Sequence, residues 1–417
     1  MISSQRKAIV IGGGLVGCAA AYYLVKEGWS VRLLERNHIG SGASSGNSGL
    51  ICPSHVMPLA VPGAVARTLR TMMRRVAPVA IGWRLDASLW LWLTRFALRC
   101  RTEPMMQSAR GRHALLKSSM ELYRQLVAEE GLDCQWQDQG LLMVYKSHQD
   151  FDRFSKTAAI LNQEFGVTAT PFAGDEVATL EPALRRGLAG GWLFPGDAHV
   201  RPERLLASLR KLLENHDVKI EEGVSVRALT IQGRRLSSVE TSHGPKSADI
   251  VVLATGAEAP AFAKPLHCRI PIQPGKGYSL TMPYANDVPR IPMIFEEHHV
   301  AVTPFNGFLR IGSTMEFAGY DRSLNPKRLA LLMKTAKDHL IDVPHAGTVE
   351  KWAGWRPMIY DGLPCIDRAP GAENVIVAAG NGMIGLATAT ATGKLAAEIA
   401  SYSTPHIDPK PYSLSRF

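Results

Sequence analysis

A chain of 417 residues with 46% hydrophobic and 20% charged side chains holds more apolar material than one core normally uses, which predicts two domains and excludes general disorder. Its six cysteines show no C-x-x-C spacing, which argues against structural zinc and a disulfide framework and fits a reducing cytoplasm. The net charge of +10 leaves anionic partners open, while the lack of any unbroken apolar run of about 18 residues excludes a spanning helix.

The first predicted strand, Lys7 to Ile11, is apolar and β-branched, and Gly12-x-Gly14-x-x-Gly17 follows at once. These glycines, with Gly13, interrupt the run where a secretory signal would be continuous. Leu15, Val16, Ala19, Ala20, Tyr23 and Leu24 then recur at helical spacing until Gly28, and a second strand from Ser30 closes on Glu35. Gly12 would allow the tight turn, Gly14 the approach of backbone to a pyrophosphate, and Gly17 close packing of helix on strand, with Glu35 near the offset at which an acid meets a ribose hydroxyl. The diphosphate would rest on the helix N-terminus, where unpaired N–H groups favour an anion.

Residues 63–130 read as mainly helical. Between Arg67 and Arg101 eight arginines (67, 70, 74, 75, 84, 95, 99 and 101) face one acid, Asp86, and Trp83, Trp90, Trp92 and Phe96 lie among them. That mixture fits a helix on an anionic membrane surface, or equally a solvated basic face whose tryptophans belong to the core. No nucleic-acid module accompanies the charge. Strands are expected at Gly140 to Tyr145, Arg269 to Ile272 and Phe308 to Gly312, as parts of an antiparallel sheet over the cofactor. Ala248 to Ala257 reads as a buried strand running into Thr255-Gly256. Near the end, Val375 to Gly385 is strand, glycine turn and helix start, and a second helix N-terminus of this kind suits the electron-rich edge of a flavin.

Together these segments resemble the FAD-dependent amino-acid oxidoreductase family, which includes D-amino-acid dehydrogenase, glycine oxidase and sarcosine oxidase. The resemblance rests on IVIGGGLVG (9–17), LLER (33–36), GASSGNSG (42–49), ADIVVLATGA (248–257), GKGYSLT (275–281), WAGWRPMIYDGLP (352–364) and GNGMIG (380–385). GKGYSLT, WRPMIYDGLP and PSHVMPLAVPG (53–63) look most like the bacterial D-amino-acid dehydrogenase branch. The resemblance implies an α/β fold in which a Rossmann-type FAD-binding domain is assembled from 1–50, 190–260 and 350–417. An α+β substrate domain with an antiparallel sheet would take 51–189 and 261–349. It implies that Gly12, Leu15, Val16, Glu35 and Arg36 hold the ADP half, and that Ser44, Ser45, Asn47, Ser48 and Gly49 line the diphosphate and flavin. Val226 would meet the adenine side, and Gly382, Met383 and Ile384 the isoalloxazine, with Gly14, Gly17, Thr255, Gly256 and Gly380 shaping the cofactor turns. No cysteine follows Arg356-Pro357 where sarcosine oxidases attach flavin, so noncovalent FAD is expected. Asn381 stands where members of the branch carry histidine, which would alter substrate preference.

The implied reaction is oxidative deamination of a small, D-configured amino acid by hydride transfer to flavin, with electrons passed to a quinone or other respiratory acceptor. A D-hydroxyproline or other imino-acid dehydrogenase and a glycine- or sarcosine-type oxidase are the alternatives within the family; a flavin-binding subunit without a substrate of its own is the alternative outside it. Arg356 is the expected carboxylate clamp, its planar fork suiting bidentate binding, unless it is a structural partner of Asp361 or Asp367. Tyr278 would give the carboxylate a second hydrogen bond or serve as an ordinary strand tyrosine. His298, His299 and His55 read as structural more readily than catalytic, and no metal site is expected. The expected location is the cytoplasm, with peripheral attachment to the inner face of the membrane as the consequence of the arginine-rich segment.

Overall fold

The computed structural model describes residues 5–72, 79–81, 86–284, 289–344, 347 and 350–417. Its first layer is a six-stranded sheet in the order Cys365–Ala369, Ala372–Ala379, Ile250–Leu253, Lys7–Ile11, Ser30–Leu34 and Lys219–Glu221. All neighbours run parallel except the first pair. Unbroken apolar strands such as Ile250–Leu253, buried at every residue, are what a sheet covered on both faces requires. One face carries the helices Leu15–Lys26, Thr102–Glu129, Pro202–Asn215 and Gly385–Ser401 in a shared core, and the other carries an antiparallel three-stranded sheet, Val226–Gln232, Arg235–Thr241 and Gly244–Lys246. The opening and closing helices pack backbone to backbone, since a Cβ at Gly393 would lie 2.5 Å from the amide nitrogen of Ala20. Gly385–Ser401 buries Thr388, Thr390 and Thr392, whose hydroxyls all find partners on Ile384, Ser119 and Asn381.

The second layer is a nine-stranded, mostly antiparallel sheet. It runs Glu350–Ile359, Ile272–Pro283, Phe308–Phe317, Val300–Phe305, Met293–Phe295, Leu141–Tyr145, Gly190–Phe194 and Thr170–Ala173, with Val79–Ile81 beside Phe308–Phe317. Helix Pro326–His339 packs on one face, and the other roofs the mouth of the parallel sheet.

The expected segment boundaries shift. Gly190–Phe194 pairs with Leu141–Tyr145, and Glu350–Ile359 with Ile272–Pro283, so both belong to the roof. Helix Thr102–Glu129, expected in the substrate domain, buries Leu115, Met120 and Tyr123 with the parallel-sheet helices because its apolar face fits Gly385–Ser401; the Ser119 and Thr390 hydroxyls meet at 2.6 Å. The strand expected at Arg269 starts at Ile272. In the arginine-rich segment, the side chain of Arg70, and Arg74, Arg75, Trp83 and Arg84 altogether, lie outside the described residues. Helix Ala87–Arg99 buries Trp92 against Phe317, with Phe96 stacked on it, and leaves Trp90, Leu91 and Leu98 half-exposed or more. Among the described residues no helix is long and apolar enough to cross a membrane.

Candidate active site

A cavity of about 1280 Å³ lies across the carboxyl ends of the parallel strands, under the roof sheet. Strand order reverses beside Lys7–Ile11, the place where ligands bind in open α/β sheets. The volume exceeds the ordinary range of about 300–1,000 Å³ for one drug-sized ligand, leaving room for a dinucleotide with a small molecule beside it.

Gly12, Gly14, Leu15, Val16, Glu35, Arg36, Ser44, Asn47, Ser48, Val226, Thr255, Gly256, Gly382, Met383 and Ile384 all line this cavity, as do Tyr278 and Arg356. Gly17, Ser45, Gly49 and Gly380 do not; they shape its wall from behind. A Cβ at Gly17 would meet the Gly12 oxygen at 1.8 Å, and one at Gly380, where φ is +98°, would meet the Ile359 side chain at 2.3 Å. Gly12, at φ +108°, has no room for a side chain beside the Ala254 carbonyl, 2.5 Å from where a Cβ would sit. The Glu35 carboxylate accepts the N–H groups of Gly13 at 2.8 Å and Asn37 at 2.9 Å, which holds the acid at the rim of the turn. Arg36 is ion-paired with Glu258 at 2.6 Å.

The loop 44–49 is tied to both layers: Ser44 Oγ accepts from the Leu15 N–H at 3.2 Å, and the rest of the loop is held by the roof. Ser279 donates to the Gly46 carbonyl at 2.8 Å, Thr303 to that of Ser48 at 2.7 Å, and Arg310 to those of Ser45 and Asn47 at 3.0 and 2.9 Å. Gly46 is required because the Trp352 ring lies 2.1 Å from where a Cβ would stand. Arg310, 1% exposed at its side chain, also reaches Thr281, Glu203 and Glu350. Sequence reasoning missed this residue, although a lone arginine between Leu309 and Ile311 in an apolar strand is a detectable signal. It also missed Arg112, a buried helix residue whose guanidinium donates to the carbonyls of His55, Val56 and Gly362 and so anchors the loop after Cys52.

Arg356 lies opposite Gly275, and its guanidinium crosses Gly277, where a Cβ would be 2.3 Å from Cζ. It donates to the Thr314 carbonyl at 2.7 Å and more weakly to that of Ser313 at 3.4 Å. Those carbonyls are presented by a bulge at which Ser313 and Thr314 take φ values of +100° and +41°, a strained geometry of the kind found where a sheet aims a functional group. Burial lowers the guanidinium to about 10, still well above neutrality. The alternative of a structural ion pair is excluded: Asp361 pairs with Arg416 at 2.9 Å, and Asp367 accepts from Ser413 and Leu414. Among the described residues no carboxylate lies within ion-pair distance of Arg356, so a cation faces the cavity without a counter-ion.

Tyr278 is buried, and its hydroxyl donates to Glu316 at 2.6 Å, so its single proton is not offered to a ligand in this arrangement. His55 lines the cavity with its pKa pushed down to about 4 by burial and Arg112, which keeps it neutral. His299 lines the wall and His298 instead meets the His339 ring edge-on; burial lowers the pKa of both. Asn381 lines the cavity, and its amide donates to Thr388 at 3.0 Å and Thr392 at 2.8 Å, holding the start of the last helix. No group of metal ligands occurs among the described residues.

A dinucleotide suits this cradle on two observations. Thr255 lines the cavity and holds a buried hydroxyl without a partner, and the N-terminal ends of the helices starting at Leu15 and Gly385 both open on the cavity. Fold, cradle and counter-ion-free arginine define a flavin-type oxidoreductase. The sequence pattern of FAD dependent oxidoreductases matches residues 7–399, and the chain belongs to that family. Over nearly its whole length it is similar to D-amino acid dehydrogenases, 32% identical over 419 residues to that of Paramagnetospirillum magneticum, covering 99% of each chain. It is also 32% identical over 424 residues to that of Methylobacterium radiotolerans, covering 98% of this chain and 99% of the relative. Among solved structures, its fold resembles glycine oxidase from Geobacillus kaustophilus, with a TM-score of 0.78 at 22% identity and 99% of each chain covered. L-proline dehydrogenase from P. horikoshii gives 0.76 at 21% identity, covering 99% of this chain and 98% of that one.

Proposed function

We propose that the protein holds FAD noncovalently and oxidatively deaminates a small D-amino acid to a 2-oxo acid, passing the electrons to a respiratory acceptor. The observation that carries this reading is Arg356, a fixed, charged fork on the cavity wall with no carboxylate of its own. FAD supplies two-electron oxidation of the neighbouring substrate carbon. The chain's own contribution is positioning. Arg356 grips the carboxylate, Gly277 leaves room for the guanidinium, and the roof sheet with the 44–49 loop keeps bulk water from the reacting carbon. Gly12, Gly14, Leu15, Glu35 and the 44–49 loop would hold the adenosine and diphosphate, and Gly382 to Ile384 the ring system.

Anaerobic mixing of the FAD-loaded protein with D- and L-amino acids and imino acids tests the reading. D-amino acids are expected to bleach the flavin, with slow recovery in air and fast recovery with a quinone. Rapid peroxide formation in air would mean an oxidase, and bleaching by no amino or imino acid would leave a flavin-binding subunit.

Gly277→Ala places a methyl group inside the guanidinium of Arg356 and must displace it. A shift of this size is expected to cost about 10²-fold in kcat/KM while FAD affinity and melting temperature change little. An unchanged kcat/KM would show that the position of the fork is immaterial.

The acceptor side of the proposal places helix Ala87–Arg99 on an anionic membrane, since Trp90, Leu91 and Leu98 are half-exposed or more beside Arg95, Arg99 and Arg101. The protein is expected to co-sediment with anionic vesicles at low salt and to be released near 1 M salt, where the screening length is about 3 Å. Trp90→Ser with Leu91→Ser should weaken binding, and binding indifferent to salt would defeat the electrostatic part.

A further inference from the structure

The roof side of the cavity carries a charged group that the reading above leaves unused. Glu296 follows the strand Met293–Phe295 and lines the cavity. No hydrogen-bond donor reaches its carboxylate among the described residues; the nitrogen within ion-pair range is His299 Nδ1, at 4.0 Å, and burial disfavours the charged form of that imidazole. Its neighbours are already committed. Glu297 accepts the N–H groups of Lys146 at 2.7 Å and Ser147 at 3.0 Å; of the cations that line this part of the cavity, Arg153 is held by Asp150 at 2.7 Å, and the exposed Arg67 forms no ion pair with Glu296. A carboxylate only a quarter exposed and without a cation is disfavoured, and partial burial with repulsion from Glu297 pushes Glu296 up to about 7. The chain thus leaves the position short of one positive charge.

Register places this group relative to Arg356. Ser313 lies opposite Val300, and Val300 opposite Phe295, so one row crosses three strands. Thr314, whose carbonyl holds Arg356, and Glu296 each follow a member of that row. They therefore stand two strand spacings apart, about 10 Å. A cation without a counter-ion and a carboxylate without a cation thus line one cavity, on backbone positions about two strand spacings apart.

We propose that Glu296 binds the far end of the substrate, and that the enzyme favours amino acids whose side chain ends in an ammonium or guanidinium group. This inference rests on the reading of Arg356 as the carboxylate clamp. Arg356 takes the carboxylate, the reacting carbon lies between, and the distal cation meets Glu296, which ionises as the cation arrives.

The test uses the FAD-loaded protein and two ligands that carry no α-amine, 6-aminohexanoate and hexanoate, titrated by calorimetry and by perturbation of the flavin spectrum. The aminated ligand is expected to bind about tenfold or more tightly than hexanoate, the order of one desolvated charge pair. Glu296→Gln, which keeps shape and hydrogen-bonding capacity, should abolish that difference and leave hexanoate binding unchanged. The ratio of kcat/KM for D-lysine over D-norleucine should fall by a similar factor in the variant. Equal affinity for the two ligands, or a preference that survives in Glu296→Gln, would overturn the assignment. Failure of the underlying reading looks different: hexanoate would then bind equally well to Arg356→Met, or no amino acid would bleach the flavin.

Discussion

Replacing Arg356 with methionine is expected to lower kcat/KM by about 10²- to 10³-fold while FAD stays bound. The guanidinium lines the cavity without a counter-ion among the described residues, and its partial withdrawal from water strengthens its bond to an incoming carboxylate. Losing one partner of a buried charge pair costs about 2–5 kcal/mol, which sets the range. Most of the change should fall on KM, because the carboxylate is gripped alike before and during the oxidation of the adjacent carbon. Arg356→Lys should recover only part, since an ammonium cannot bridge Thr314 and the substrate with a planar fork. Steady-state kinetics with D-amino acids and FAD titration of the apoprotein check both halves. An unchanged kcat/KM would remove Arg356 from substrate binding.

The second large effect concerns stability and cofactor retention together. Arg310→Met removes the cation that joins Glu203, Glu350, Thr281 and the carbonyls of Ser45 and Asn47. Breaking a buried pair by removing one partner costs about 3–5 kcal/mol. Glu203 and Glu350 remain about a third exposed, at 34% and 39%, so solvent relieves part of the cost and the lower end, about 3 kcal/mol, is expected. Because two of the lost bonds hold the 44–49 loop, FAD affinity should fall by about tenfold or more, a loss that surface destabilisation would not produce. Denaturant unfolding and FAD titration measure the two effects, and a Glu203→Gln partner change should restore part of the stability by removing an orphaned charge. FAD affinity within a factor of about two of the parent would show that the loop does not depend on Arg310.

The two arginines differ in how they could have been found. Arg356 stands in a recognisable W-R-P stretch, so a carboxylate-binding role could be proposed for it before any contact was known. What could not be read was the bulge at Ser313–Thr314 that aims it, because both residues look like ordinary strand members and their positive φ values arise from pairing with Tyr278 and Val300 on separate strands. Arg310 was passed over because its partners lie 265 and 263 residues away along the chain, at Ser45 and Asn47. Asn381 lines the cavity, but its amide turns inward to threonines of the helix it begins, a commitment that a reading of its position alone could not foresee.

The sequence by itself determined the parts whose physics is local: the strand, glycine turn, helix and second strand ending at Glu35, the buried strand into Thr255-Gly256, and the glycine turn at 380–385. In each, a left-handed backbone angle or a contact within one supersecondary unit demands glycine, and that demand is written in consecutive residues. Tertiary structure alone decided that Thr102–Glu129 joins the parallel-sheet core, that Gly190–Phe194 and Glu350–Ile359 belong to the roof, that Trp352 lies on Gly46, and that Glu296 and Arg356 line the same cavity. The reason is that strand register and burial are set by partners far along the chain, and a side chain's charge acquires its role only when those partners determine what surrounds it.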